Sequence, residues 1–442
     1  HLLHRPYSSM IKEELQMKNM KVLAEEILQG KYDEILKEIY VDESVLDYQR
    51  KRYKKAIEEF EKIFGESDVE IYSAPGRCEV GGNHTDHQNG MVLATSINQD
   101  ALAVVGRSED GMIHVLSDGY EMVDVDVNDL EERYDEEGTT AALVRGVAAE
   151  LKARGYEVQG YNAYIVSDVL IGAGLSSSAA FEVILGTIIS GLFNEGSIDP
   201  VVIAQTGQYA ENVYFGKPCG LMDQMACSVG GMIHIDFKEP GSPVVEKVPS
   251  DFESYQYSMC IVDTKASHAD MGDDYASIPE EMKKVAKFFG KTYLREVEED
   301  DFYKQISGLR SVLGDRPILR ALHFFEEERR VEGEVKALRD GDFKEFLELV
   351  KDSGNSSFKY LQNIYNSTNV QKQAMSIALA VSDKILRKHG VSRVHGGGFA
   401  GTIEIFVENS FVDEYKARMD RVFGKGSCQI LKVRQSGGRR VL

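Results

Sequence analysis

Residues 170–187 read Leu-Ile-Gly-Ala-Gly-Leu-Ser-Ser-Ser-Ala-Ala-Phe-Glu-Val-Ile-Leu-Gly-Thr. The glycines Gly172 and Gly174 lead into three serines and then into an apolar run without proline, a pattern that is typical of a loop opening a helix. The unpaired amides and the positive dipole end of such a helix attract an anion, and serine hydroxyls add donors or a magnesium ligand. The stretch therefore predicts a phosphate-binding turn.

A second interpretation of this stretch is a serine-capped helix that enters the core, and for a Gly/Ser turn taken alone it is the better one. The stretch is not a Walker A loop, because no Gly-Lys-Ser/Thr follows the glycines. Other motifs in the chain must decide between the two interpretations.

Three such motifs are present. Residues 73–90 read Ser-Ala-Pro-Gly-Arg-Cys-Glu-Val-Gly-Gly-Asn-His-Thr-Asp-His-Gln-Asn-Gly, residues 219–224 read Cys-Gly-Leu-Met-Asp-Gln, and residues 394–401 read Val-His-Gly-Gly-Gly-Phe-Ala-Gly. In order and spacing, the four motifs resemble the signatures of the galactokinase family, a branch of the GHMP small-molecule kinases (galactokinase, homoserine, mevalonate and phosphomevalonate kinases). The resemblance runs from about Leu46 to the C-terminus, with departures that make this chain an atypical member.

The composition narrows the possible functions. A chain of 442 residues with 43% hydrophobic content can bury a large core in two or three domains. The net charge of −21 argues against nucleic-acid and membrane partners, because both need clustered basic residues. The five cysteines form no CxxC pair, so we interpret them as reduced and expect a cytoplasmic protein. We favour a monomer.

The resemblance implies an α+β class and a two-domain GHMP-kinase fold, with mixed sheets and helices and the active site in the cleft between the domains. We predict an N-terminal helical extension over residues 1–44, an N-terminal kinase domain over residues 45–240 and a C-terminal kinase domain over residues 241–442. Apolar residues recur at helical spacing through residues 10–43. Met10 is a plausible native start, and residues 1–9 are left out of the fold interpretation. For the extension, a packing or oligomer contact is more plausible than chemistry.

Two residues are expected to be catalytic. In the family, the aspartate of Cys-Gly-x-x-Asp-Gln and the arginine of the Gly-Arg signature flank the anomeric hydroxyl of the sugar, and they correspond to Asp223 and Arg77. Phosphoryl transfer needs the acceptor oxygen aligned and the developing charge offset. Asp223 would accept the hydroxyl proton, and Arg77 would stabilise charge and keep Asp223 ionised. The alternative is an ion pair that only locks two segments together.

The resemblance also implies the nucleotide and metal contacts. The ATP-binding turn comprises Gly172, Gly174, Leu175, Ser176, Ser177, Ser178 and Ala179. We expect Mg²⁺ as cofactor, with Ser178 and Glu211 as ligands, because magnesium prefers carboxylate and hydroxyl oxygens. The alternative for Glu211 is an exposed helix charge. The glycine turn at residues 396–398 is expected to help shape the cleft, and a plain turn is its alternative.

For the sugar, the family pattern implies contacts from Asn83, His84, Asp86, Gly220, Asp223 and Tyr275. The match is weaker here, because Asn83 and His87 stand where the family has a glutamate and a tyrosine, and Glu79 stands where it has an asparagine. In the family, the glutamate that Asn83 replaces accepts from the 6-hydroxyl of the sugar. The spacing of His84 and His87 does not indicate a metal site.

The function expected from the sequence is an ATP-dependent sugar 1-kinase, with galactose as the default acceptor. The alternatives are a kinase of another sugar, such as an amino sugar, and a catalytically silent galactose- and ATP-binding regulator. Such regulators lose a Ser-Ala dipeptide that this chain keeps at Ser178-Ala179. The retained Asp223 and Arg77 also favour an enzyme.

Overall fold

The computed structural model describes residues 16–171 and 174–442. Its helices are α1 (Met20–Leu28), α2 (Asp33–Tyr40), α3 (Leu46–Phe64), α4 (Thr140–Ala153), α5 (Ser177–Phe193), α6 (Pro200–Tyr209), α7 (Met222–Val229), α8 (Gly272–Phe288), α9 (Glu299–Lys304), α10 (Ile306–Leu313), α11 (Arg316–Arg339), α12 (Phe343–Ser356), α13 (Ala374–Leu386) and α14 (Val412–Phe423). Its strands are β1 (Lys18–Asn19), β2 (Asp68–Gly81), β3 (Met91–Arg107), β4 (Met112–Ser117), β5 (Val123–Asp126), β6 (Tyr161–Ser167), β7 (Met232–Asp236), β8 (Val244–Val248), β9 (Tyr257–Asp263), β10 (Gly390–His395), β11 (Thr402–Glu408), β12 (Cys428–Leu431) and β13 (Arg439–Arg440).

The first sheet is built around the long strands β2 and β3. Its strand order is β1-β2-β3-β6-β4-β5, with β7 also paired to β3, β8 to β7 and β13 to β2. Pairing is antiparallel except between β4 and β6. Successive residues of β3 enter different cores: Ala103 and Val105 pack with α5, whereas Leu102 and Val104 pack with the N-terminal helices. A sheet covered on both faces explains why these two strands are buried at nearly every position.

The second sheet has the antiparallel order β10-β11-β9-β12. It contributes Val262, Ile403 and Ile405 to a core with α13 and α14. Helices α8 and α11 form a separate core through residues such as Met282 and Phe324. Strand β10 leads directly into the glycine turn at residues 396–398, so this sheet positions that motif.

The N-terminal segment, residues 16–45, is an integral part of the first core. Asn19 caps α1, with its Oδ1 accepting from the amide of Lys21 at 3.0 Å. Leu23 and Ile27 of α1 and Ile39 of α2 are buried with α3 against the outer face of β2 and β3. The predicted α+β class and N-terminal helices are thus confirmed, although the part of the extension at residues 1–15 lies outside the described residues.

The domain boundaries stay a prediction, and sheet pairing differs from them in two places. β8 follows the boundary placed at residue 240 but pairs with β7 in the first sheet. The C-terminal tail also returns to this sheet, where Ile97 bridges to Val433 and β13 pairs with β2. Backbone pairing between distant segments decides which sheet a strand joins, and the composition of the chain does not show that pairing. Within the described residues, no helix combines the length and the apolar character needed to cross a membrane.

Leu23→Ala is expected to lower the free energy of unfolding by about 3 kcal/mol, because it removes a fully buried side chain from the core under the N-terminal helices. Val22→Ala is the matched control: Val22 is the neighbouring residue but is 51% exposed, so its change should stay within about 0.5 kcal/mol. Chemical denaturation monitored by circular dichroism measures both. Equal effects of the two substitutions would contradict the burial of α1.

Candidate active site

An ion pair between Arg77 and Asp223 lies at the centre of the site. Arg77 follows a β-bulge in β2, and Asp223 lies in the first turn of α7. Nε of Arg77 donates to Oδ1 of Asp223 at 2.7 Å. The Arg77 side chain is 10% exposed, whereas that of Asp223 is 37% exposed, so the carboxylate is the partner that stays open to the cleft.

The same pair is bonded to the serine turn. Oγ of Ser176 donates to Oδ2 of Asp223 at 2.8 Å, and Nη1 of Arg77 donates to the carbonyl of Gly174 at 2.9 Å. The amide of Arg77 donates to the carbonyl of Leu175 at 3.1 Å. The structure therefore brings together three segments that are far apart in the chain.

The charges of the pair reinforce one another. Burial alone would raise the pKa of Asp223, but the charge of Arg77 and the hydrogen bonds from Arg77 and Ser176 outweigh it, so this pKa lies below its ordinary value. Burial disfavours the Arg77 cation, yet the Asp223 carboxylate raises the pKa of Arg77 above its ordinary value. Both groups are therefore ionised at neutral pH.

The serine turn presents a helix N-terminus. Helix α5 begins at Ser177, and the amide of Ala180 donates to the carbonyl of Ser176 at 3.1 Å. The amides of Ser177, Ser178 and Ala179 precede that hydrogen bond, so they belong to the unpaired first turn of the helix. Such a turn can bind a phosphate.

The side chains of the turn differ in what they can offer. Leu175 and Ala179 are buried and can contribute only backbone groups, whereas Ser178 is exposed. The expected donation from Ser176 to a phosphate is corrected, because its hydroxyl donates to Asp223 instead. Ser176 has a φ of 61°, a left-handed conformation that turns the chain into the helix. Gly172 lies outside the described residues.

A cavity of about 900 Å³ adjoins the turn at Ser177 and Ser178. This volume is within the range of small-molecule sites, which is roughly 300–1,000 Å³. The cavity is lined by aromatic and acidic side chains from segments distant in sequence: Tyr48, Tyr120, Phe181, Phe215, Asp42, Asp118 and Asp168. Sequence reasoning missed these residues, because none of them belongs to a local motif.

Glu211 is connected to helix α5 through the side chain of Gln224. It is 5% exposed, which excludes the exposed helix charge considered above. Nε2 of Gln224 donates at 3.0 Å both to Oε2 of Glu211 and to Oε2 of Glu182. Glu182 is four residues after Ser178 and hence on the same face of α5. The spacing of four residues from Ser178 could have identified Glu182 from the sequence, but Glu182 belongs to none of the expected metal or phosphate contacts.

The oxygens near Glu211 fit a hard divalent cation. Burial, the charge of Glu211 and a hydrogen bond with it raise the pKa of Glu182 well above its ordinary value. Oε1 of Glu182 is buried and has no hydrogen-bond partner among the described residues. Among the described residues, no group of three or more His, Cys, Asp or Glu side chains is placed to hold a metal ion without other ligands. A cation shared with nucleotide phosphates needs only one or two protein ligands.

Two of the predicted sugar residues, His84 and Tyr275, meet at the glycine turn. The carbonyl of Gly397 accepts from Nε2 of His84 at 3.0 Å, and the carbonyl of Gly398 accepts from the hydroxyl of Tyr275 at 2.5 Å. Tyr275 also pairs with Nδ1 of His268 at 2.5 Å. The predicted cleft-shaping turn is therefore a direct support for two of the expected sugar contacts.

His84 is held as a neutral ring. Because the Gly397 carbonyl can only accept, Nε2 carries the proton and Nδ1 is an acceptor. Burial and then the proximity of His87 lower the pKa of His84 to about 4. Nδ1 is buried without a partner in the described part of the chain, so it could accept from a ligand hydroxyl.

Asp86 and Gly220 are neighbours across the site. A Cβ atom placed on Gly220 would lie 3.4 Å from Oδ2 of Asp86. Gly220 is in the loop that precedes Asp223, so this close approach places the Asp86 carboxylate beside the same loop as the ion pair. A hydroxylated ligand bound beside this loop could meet the carboxylates of Asp86 and Asp223.

Known proteins resemble this chain in sequence. The galactokinase galactose-binding signature matches residues 58–107, and the N-terminal domain of GHMP kinases matches residues 142–231. The chain is 29% identical to the galactokinase of Streptomyces coelicolor over 87% of this chain and 97% of that protein. It is 28% identical to the galactokinase of Clostridium tetani over 83% and 91%, respectively. The chain is thus similar to galactokinases over most of its length.

Solved structures share the fold of this chain. The Lactococcus lactis galactokinase in complex with galactose superposes with a TM-score of 0.73 at 23% identity, covering 87% of this chain and 98% of that chain. The mevalonate kinase of Methanococcus jannaschii superposes with a TM-score of 0.59 at 15% identity, covering 83% and 99%.

The galactokinase-type glutamate is replaced by Asn83, and the predicted sugar contact of Asn83 is wrong in this structure. Asn83 is 0% exposed. Its Nδ2 donates to Oε1 of Glu79 at 3.0 Å and to the carbonyl of Gly396 at 2.7 Å. Its Oδ1 accepts from Ser357 at 3.0 Å and from Asn363 at 2.9 Å. These four bonds fill the capacity of the amide, so none is left for a sugar.

Asn83→Glu is expected to destabilise the protein by about 3 kcal/mol or more and to leave galactose kcat/KM no higher than in the wild type. The new carboxylate would lose both donor bonds and face Glu79 inside the core. Denaturant titration and steady-state kinetics measure the two effects. His87→Gln is the control, because the His87 side chain in the same loop is 52% exposed. A stable Asn83→Glu variant with improved galactose turnover would refute the structural role.

Proposed function

We propose that this protein is an ATP-dependent galactokinase, which transfers the γ-phosphate of ATP to the anomeric hydroxyl of galactose. The observation that carries the proposal is the bonding of the Arg77–Asp223 pair to the serine turn. A phosphate on the amides of that turn and a sugar beside Asp86 would approach each other at the ion pair. The names of the relatives support galactose as the acceptor.

In this proposal the two ionised groups have separate roles. Asp223 uses two of its four lone-pair positions on Arg77 and Ser176, so the remaining ones can accept the proton of the sugar hydroxyl. Arg77 offsets the charge that develops during transfer and keeps Asp223 ionised. The bonds to Gly174 and Leu175 hold Arg77 in register with the phosphate turn.

The family uses ATP with a divalent cation, and we propose Mg²⁺ as that cation. Ser178 and Glu211 would hold it, with Glu182 and Gln224 keeping the Glu211 carboxylate in place. When bound, magnesium neutralises phosphate charge. The aromatic cavity beside Ser177 and Ser178 would hold the nucleoside part of ATP. A cytoplasmic location and a monomeric state stay predictions.

The alternatives are a silent regulator and a kinase of another sugar. The Ser178-Ala179 dipeptide and the complete Arg77–Asp223 pair favour an enzyme over a regulator. The test is a coupled ADP-release assay with galactose, other aldoses and amino sugars. We expect galactose to be the best acceptor. Turnover of an amino sugar alone would favour the second alternative, and ligand binding without ADP release would favour the first.

Asp223→Asn is expected to lower kcat by roughly two or more orders of magnitude while ATP binding is kept, because the amide cannot take the proton. Asp413→Asn, at an exposed position of α14, is the control and should leave kcat unchanged. Thermal melting must accompany the kinetics, so that an unfolded variant is not misread. A folded variant with a near-normal kcat would rule out the base role.

Ser178→Ala is expected to raise the magnesium concentration needed for half-maximal nucleotide binding, because one oxygen ligand is lost. Galactose affinity should stay as in the wild type. Ser177→Ala is the matched control: it removes a neighbouring hydroxyl from the turn and should leave the magnesium requirement unchanged. Calorimetric titrations of magnesium and nucleotide measure this, and an unaltered requirement in Ser178→Ala would eliminate Ser178 as a ligand.

A further inference from the structure

We propose that Tyr48 is a stacking contact for the nucleobase, on a wall of the nucleotide cavity that the end of the N-terminal segment and the start of α3 form together. We call Asp42, Val45, Tyr48 and Gln49 the junction wall; all four line the 900 Å³ cavity. This inference rests on the proposed function. It assigns the junction between the N-terminal segment and α3 a part in the site, beyond the packing or oligomer contact expected for the extension.

Tyr48 is exposed and yet held in place. It is 53% exposed, and its hydroxyl donates to Oδ1 and Oδ2 of Asp168, both at 3.1 Å. Burial and the Asp168 carboxylate raise the pKa of Tyr48, so the phenol stays a neutral donor at neutral pH. A ring that is already ordered loses little conformational entropy when a flat ligand stacks on it.

Buried charges hold the Tyr48 anchor. Nε of Arg52, one turn further along α3, lies 3.3 Å from Oδ2 of Asp168. Nη1 of Arg52 donates to Oδ1 of the fully buried Asp100 at 2.6 Å. The amide of Asp168 donates to the Asp100 carbonyl at 2.9 Å. Asp168, which accepts from the Tyr48 hydroxyl, is thus held by groups in the core of the first sheet, and this fixes the position of Tyr48.

The N-terminal segment is bonded to the same network. The hydroxyl of Tyr40 donates to Oδ2 of Asp100 at 2.8 Å, and the carbonyl of Tyr40 accepts from Nδ2 of Asn98 at 3.0 Å. Asn98 and the adjacent Gln99 line the cavity. Asp42 and Val45 lie a few residues after Tyr40, so the anchored end of α2 positions these two residues of the junction wall.

The chemistry of the cavity fits a nucleobase better than a second sugar. Tyr48, Tyr120 and Phe181 offer aromatic surface for a flat ring. Oε1 of Gln99 is buried without a partner among the described residues, and a ring amino group could donate to it. Stacking on an aromatic side chain is worth about 1–3 kcal/mol per base, which corresponds to roughly a five-fold to 150-fold change in affinity.

The experiment compares two ligands that differ in the base. Isothermal titration calorimetry measures binding of Mg²⁺–AMP-PNP and of inorganic tripolyphosphate to the full chain. Tyr48→Ala should weaken AMP-PNP roughly ten-fold while tripolyphosphate affinity stays within about two-fold. Tyr48→Phe keeps the ring and should lose much less. Tyr134→Ala is the control, because Tyr134 is 89% exposed and does not line the cavity.

The outcomes separate this inference from the proposed function. AMP-PNP affinity within two-fold of the wild type in Tyr48→Ala overturns the stacking contact, and so does an equal loss for both ligands, which would indicate a general distortion. Either result leaves the galactokinase proposal standing. A wild-type protein that binds no AMP-PNP overturns both. In steady-state kinetics, Tyr48→Ala is expected to raise the KM for ATP and to leave the KM for galactose unchanged.

Discussion

The buried Arg77 cation constrains the whole site. Taking a guanidinium out of water is costly unless its charge and its donors are matched by partners. Asp223 supplies the opposite charge and the carbonyl of Gly174 accepts from the guanidinium, while the carbonyl of Leu175 accepts from the backbone amide of Arg77. These partners come from α7 and from the loop before α5, so satisfying one side chain of β2 aligns three separate segments. The serine turn and the Asp223 carboxylate are therefore positioned by the same interaction.

The glycine turn at residues 396–398 positions a second group of side chains. Its three successive carbonyls accept from Asn83, His84 and Tyr275, respectively. Side chains would obstruct this arrangement: a Cβ on Gly397 would lie 2.6 Å from the Tyr275 ring, and one on Gly398 would lie 1.9 Å from the carbonyl of Asn363. The glycines are required there because the second sheet must approach the first-sheet loop and Tyr275 of α8 closely.

Glu79 and Asn83 illustrate how a departure from a family signature can be accommodated. The galactokinase pattern has asparagine at the first position and glutamate at the second, and this chain has the reverse. The two side chains are bonded to each other, and Arg393 donates to Glu79 at 2.6 Å. The carboxylate is thus paired with a buried cation, while the amide satisfies the glycine turn. In consequence, the polar side chain at position 83 serves the protein interior rather than a ligand.

The sequence by itself determined the N-terminal helices, because helical periodicity is a local property. The helix Leu46–Phe64, for example, ends at Gly65, and a glycine after a periodic segment is a local stop signal. Through the family resemblance that its short motifs carry, the sequence also indicated the α+β class and the segments that meet at the site. Only the tertiary structure decided that Asn83 is saturated internally, that Ser176 donates to Asp223, and that the tail joins the first sheet. It also decided that Tyr48, Tyr120 and Phe181 line one cavity. Each of these depends on which distant groups satisfy a buried polar atom or cover a surface, and that pairing is settled by packing of the whole chain rather than by neighbouring residues.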